Sequence, residues 1–152
     1  MACLSDAAPT GDGSFESKRE RAVTRRRGHL VTAPNPGRRN DYVVTLAGMM
    51  EAPEPAAEVG VTLRYVPDRV VLRPAAFAAY IEVLREASWD GLEELATTIL
   101  GDVNNELIPR WVHVSLKADN PEGGYHAVDL DDRQPNWDNP SLLARLATAR
   151  SD

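Results

Sequence analysis

One cysteine, three histidines and two phenylalanines stand among the 152 residues of this chain. Cys3 cannot close an internal disulfide, complete a cysteine-based zinc knuckle within one chain or form an internal dithiol pair. A lone thiol fits a reducing compartment, so a cytoplasmic protein is expected. Long hydrophobic runs are also missing. No stretch approaches the roughly 20 apolar residues that cross a bilayer, and Met1-Ala2-Cys3-Leu4-Ser5-Asp6 lacks the charged-then-apolar order of a signal peptide. No membrane partner is expected.

Positive charge is scarce beyond the first forty residues. Residues 1–40 hold eight Lys or Arg against four Asp or Glu, a net of +4, whereas residues 41–152 hold nine against nineteen, a net of −10. An acidic body is a poor surface for nucleic acid, because affinity for phosphate rests on clustered cations. Any such contact would fall to Lys18-Arg19-Glu20-Arg21 and Arg25-Arg26-Arg27. Those clusters have no interleaved aromatic residues on which bases stack. Residues 1–39 are rich in Ala, Gly, Ser, Pro and Arg without apolar periodicity, and they read as a disordered basic tail.

What is present is one core's worth of apolar residues, 43% of the chain, which predicts a single domain over residues 40–132. Residues 133–152 read as a carboxy-terminal extension with a short helix capped by Asn139. Tyr42 to Leu46 is β-rich, and Glu51 to Ala57, with Pro53 and Pro55, reads as a loop. Val59, Val61, Leu63 and Tyr65 alternate with polar or small residues, the period of a half-buried strand. Val66-Pro67-Asp68-Arg69 then reads as a turn, with Val70 to Leu72 as the second arm of a hairpin.

Pro74 suits the first position of a helix over residues 74–86, whose Phe77, Tyr80, Ile81 and Leu84 share one stripe. Ser88 is the expected N-cap of a second helix ended by Pro109, with Trp89, Leu92, Ala96, Ile99, Leu100, Val103 and Leu107 on its buried side. Two further strands follow, from Trp111 to Lys117 and from Tyr125 to Leu130, joined by a turn at Asn120 to Gly124. This order predicts an α+β fold, an antiparallel sheet with two helices on one face. Thr62, Arg64, Trp111, His113, Ser115 and Lys117 would lie on the opposite face, facing the lumen if open edges close into a ring. His113 and His126 should point to opposite faces, so no metal site is expected, and His113 reads as a partly exposed sheet residue.

Leu63-Arg64-Tyr65-Val66-Pro67-Asp68-Arg69, Ile99-Leu100-Gly101-Asp102, Pro109-Arg110-Trp111 and Asn120-Pro121-Glu122-Gly123-Gly124 occur in an order and at spacings that resemble the NADPH-dependent 7-cyano-7-deazaguanine reductases. These are QueF-like nitrile reductases of queuosine biosynthesis with the tunnelling fold. The resemblance covers about residues 59–126 and implies rings of ββααββ units with active sites between subunits. It also implies a cysteine that adds to the nitrile carbon to form a thioimide, a role that needs a thiolate. Counting back from Tyr65 without a gap, that position is Met50, whose thioether cannot be deprotonated. The aspartate of the same segment falls near Ala57, with Glu51, Glu54 and Glu58 close by.

The family's cofactor-binding lysine segment corresponds to Arg73-Pro74-Ala75-Ala76, and an arginine before its glycine pair corresponds to Glu122, so NADPH binding is not expected. The glutamate that holds the guanine-like edge of the substrate corresponds to Glu93. A carboxylate suits that task because it accepts two parallel N–H bonds. An acid in a first helical turn is equally explained by the helix dipole. The expectation is therefore a degenerate relative that keeps the scaffold and a heterocycle site at Glu93, with no catalytic residues and no cofactor, or that serves as a ring subunit beside an active paralogue. The alternative is a working enzyme of 7-deazaguanine metabolism with atypical catalytic residues.

Overall fold

The computed structural model describes residues 10–52 and 57–150, with the side chains of residues 10–15, 52, 57 and 148–150 left aside. The expectations for Cys3 and Glu54 lie outside those residues. In chain order the elements are α1 (Thr10–Gly28), β1 (Thr32–Pro34), β2 (Val44–Ala52), β3 (Ala57–Val66), β4 (Val70–Leu72), α2 (Pro74–Glu86), α3 (Leu92–Leu107), β5 (Trp111–Asp119), β6 (Tyr125–Arg133) and α4 (Pro140–Arg150).

Strands β2, β3, β5 and β6 form one antiparallel sheet in that order. Its alternation places Met50, Val59, Val61, Leu63, Tyr65, Val112, Val114 and Leu116 on one face, where all are buried. That face receives Phe77, Tyr80, Ile81 and Leu84 of α2 and Leu95, Ile99, Val103 and Leu107 of α3. Each such aliphatic or aromatic side chain contributes roughly 1.5–3 kcal/mol by leaving water. Helix α2 spans the residues its periodicity predicts, with Pro74 at its start. Helix α3 begins at Leu92 with Gly91 as N-cap, so Ser88 does not cap it. The Trp89 indole N–H donates to the Leu84 carbonyl at 2.9 Å, which holds the connector against the end of α2 and delays the new helix. Ile108 closes α3 in the left-handed region, φ 44°, and Pro109 prevents continuation.

Three expectations are corrected. Val70 to Leu72 is not the second arm of a hairpin with β3, because β3 already has β2 on one side and β5 on the other. Strand β4 pairs instead with β1, and the Leu72 N–H is taken by the Tyr65 hydroxyl at 2.8 Å. The segment from Glu51 to Ala57 is not wholly a loop, since β2 runs through Ala52 and β3 starts at Ala57.

The third concerns the basic amino-terminal segment. From Thr10 onward it is ordered into α1 and β1, and Leu30 is buried in the main core. The absence of an apolar stripe does not unfold α1, because electrostatics anchor it. Arg26 donates from Nε to Oδ2 of Asp102 at 2.6 Å and from Nη2 to Oδ1 at 3.1 Å, while Arg27 Nε donates to Oδ1 at 2.8 Å. Asp102 is 1% exposed and also accepts from the Tyr80 hydroxyl. Arg25 reaches Glu86 at 2.9 Å.

Just ahead of β5, Arg110 ties two other segments, residues 38–41 and Asp68, to its own. Its guanidinium donates to the carbonyls of Arg38 and Asn40 and to the carboxylates of Asp41 and Asp68. Gln134 joins this hub through Asp68 and the Ile108 carbonyl. Asn139 caps α4 as expected, accepting from the Leu142 N–H at 3.2 Å. Helix α4 packs Leu142, Leu143 and Leu146 with Val66 and Trp111, on the sheet face away from α2 and α3.

Candidate functional site

Glu93 occupies the first turn of α3. Its Oε1 lies 2.8 Å from His126 Nε2 at the start of β6, and both side chains are more than half exposed. The carboxyl is held below the usual carboxylate value, first by its own backbone N–H and then by the His126 hydrogen bond. Gly91 makes room for this arrangement, because a Cβ there would stand 3.1 Å from Glu93 Oε2. Glu94 serves the helix instead, accepting the Asp90 N–H at 2.7 Å. One acid therefore closes the helix start, while its neighbour presents an ionised carboxylate outward. His126 as the partner of Glu93 was missed in the sequence, since 33 residues separate them and only the pairing of β5 with β6 brings them together.

Met50, at the position the resemblance gives to the nucleophile, lies opposite Val59 on the helix-covered face and is 2% exposed. It fills core. Arg73 is exposed ahead of α2, and its N–H donates to the Val31 carbonyl at 3.1 Å. Gly123 and Gly124 take positive φ values of 110° and 78° in the turn between β5 and β6, a backbone requirement.

The opposite face of the sheet does carry Thr62, Arg64, Trp111, His113, Ser115 and Lys117 together. Two of these depart from expectation. Trp111 is buried beneath α4, and His113 is 2% exposed rather than partly open. The rings of Trp111 and His113 stack 5.9 Å apart at 4°, His113 Nε2 lies 3.2 Å from Asp129 Oδ1, and Trp111 Nε1 donates to Asp131 at 3.2 Å. His113 and His126 do point to opposite faces. Among the described residues, no three His, Cys, Asp or Glu side chains gather as metal ligands would, and no helix is long and apolar enough to cross a membrane.

Two of the motif residues that carry the resemblance, Asp102 and Arg110, are structural hubs. An aspartate within an apolar stripe was the available signal, since a buried carboxylate demands cationic partners.

No family model matches the chain, and no curated protein matches it. Among solved structures the chain is similar to an archaeosine synthase, QueF-like, crystallised in the apo form. The two share 22% identity over 60% of this chain and 91% of the other, with a TM-score of 0.51. The likeness concerns the fold, an α+β tunnelling fold with antiparallel sheets.

Proposed function

We propose that this protein is a tunnelling-fold relative of the 7-deazaguanine enzymes that binds a purine- or deazaguanine-like heterocycle through Glu93 and does not perform thioimide nitrile reduction. The observation that carries this reading is a contrast between two matched positions. Glu93 is an exposed carboxylate kept ionised beside His126, whereas Met50 is a core thioether with neither a sulfur anion nor access to ligand. A carboxylate in that state accepts the ring N–H and exocyclic amine of a guanine-like edge. The neighbour's description as an archaeosine synthase supports the 7-deazaguanine class of ligand. Among the described residues, no further strand pairs with the outer edges of β2 and β6, which supports assembly into a ring of copies or with an active paralogue.

Calorimetry with guanine and 7-cyano-7-deazaguanine tests the reading. Binding is expected for the wild type, and Glu93→Gln should weaken it about tenfold, the loss of one charge-assisted hydrogen bond. Unchanged affinity would remove Glu93 from the site. Incubation with 7-cyano-7-deazaguanine and NADPH should leave the cofactor unoxidised, and steady turnover would favour a working enzyme with other catalytic groups.

A further inference from the structure

Arg25, Arg26 and Arg27 are spent on Glu86 and Asp102, but Arg38 and Arg39 are not. Both are exposed, and among the described residues neither guanidinium meets an acid or an acceptor. They sit on the loop Asn35-Pro36-Gly37-Arg38-Arg39-Asn40, which borders an open concavity of about 360 Å³. We propose that this loop binds a phosphate monoester of nucleotide size.

The loop is held in place from beneath. Asn35 is buried, donates to the Asp68 carbonyl at 2.8 Å, and accepts from the Gly37 N–H and the Tyr42 hydroxyl. Arg110 donates to the Arg38 carbonyl at 2.6 Å and the Asn40 carbonyl at 3.0 Å, while the Gly37 carbonyl accepts the Asn40 N–H at 3.0 Å. In a planar trans peptide the C=O of one residue and the N–H of the next point in opposite directions. The Arg39 N–H therefore faces away from Arg110, and the Arg38 N–H faces away from the Gly37–Asn40 bond. Neither amide meets an acceptor among the described residues. Two spare backbone donors beside two guanidinium forks are the components of an anion receptor.

Charge agrees with this. Asp41 is occupied by Arg110, Trp137 and Asn139, and Asp68 by Arg110 and Gln134. With Arg69, whose carbonyl accepts the Asn35 N–H, four arginines face two aspartates, a local balance of +2. The fork geometry of arginine matches phosphoryl oxygens in pairs, and the concavity falls within the roughly 300–1,000 Å³ of small-ligand sites. A small monoester fits better than a nucleic-acid strand, because none of the six residues that border the concavity is an aromatic on which a base stacks and residues 41–152 carry −10. The site is independent of Glu93. His126 pairs with Ala118 at one end of β5 and Arg110 precedes the other end, about 25 Å apart at the rise of a strand.

The test is a titration of the full chain at low salt with inorganic phosphate, guanosine 5′-monophosphate and guanosine, followed by calorimetry and by amide NMR. Both phosphates should move the Arg38 and Arg39 amide signals, the monoester at lower concentration, and guanosine should not. The double variant R38A/R39A should lose affinity for inorganic phosphate about tenfold or more. R38K/R39K should recover part of it, while K18A/R19A/R21A and Glu93→Gln should bind phosphate as the wild type does. Circular dichroism verifies folding of each variant. The proposal is overturned by unmoved Arg38 and Arg39 amides, by wild-type affinity in R38A/R39A, or by binding of long RNA without binding of the monoester.

Discussion

Two arginines and a phenol converge on the single carboxylate of Asp102, which has almost no access to solvent. Removing the carboxylate strands its partners. Asp102→Ala should therefore cost about 3 kcal/mol in urea unfolding, the scale of a broken buried ion pair. An effect within experimental error would deny the clasp any energetic role. Tyr80 adds a pH dependence. Burial first, and then the Asp102 charge, push its hydroxyl above its ordinary value of 10.0. The folded chain thus keeps a proton that the unfolded chain releases, so this contribution is complete below about pH 10 and declines as pH rises further. Burial raises Tyr65 in the same direction. Thermal midpoints measured across the alkaline range should fall, and Tyr80→Phe should make that fall shallower.

Among the elements, α3 carries a local conflict, a β-branched residue in the left-handed region at its end. Ile108 has φ 44° and is 64% exposed, so little packing compensates. Ile108→Gly should raise stability by about 1 kcal/mol, because glycine adopts this cap without the Cβ clash. An unchanged or lower denaturation midpoint would contradict that. Elements whose structure follows from burial were legible in the residues themselves. The alternation at Val59 to Tyr65 and the stripe at Phe77, Tyr80, Ile81 and Leu84 announced β3 and α2. Helix α1 was not announced, since it rests on ion pairs with Glu86 and Asp102, 61 to 76 residues away. What was available was a run without Gly or Pro from Phe15 to Arg27, rich in helix formers. The pairing of β4 with β1 was equally hidden, because it depends on which neighbours β3 had already acquired. At the candidate site the position of Glu93 was legible and its contact with His126 was not.

For the whole molecule, the proposed ring makes a measurable demand. Sedimentation velocity should give a multiple of 16.7 kDa, and a monomer at high micromolar concentration would exclude a ring of identical copies. The β6 edge bears Asp129, Asp131 and Asp132, whereas β2 exposes Met49. Pairing β6 of one copy with β2 of the next sets fewer acids against one another than pairing β6 with β6, because β2 carries Glu51 alone, so Met49→Asp should shift the population toward smaller species.

The clasp on Asp102 also decides where a protease can enter. Trypsin must draw several residues into an extended conformation. Lys18, Arg19 and Arg21 project into solvent, whereas opening the backbone at Arg26 or Arg27 would leave a carboxylate stranded in the interior. Brief native digestion should therefore nick the outer half of the first helix and spare the arginine triplet, leaving a fragment that still begins ahead of its own anchor.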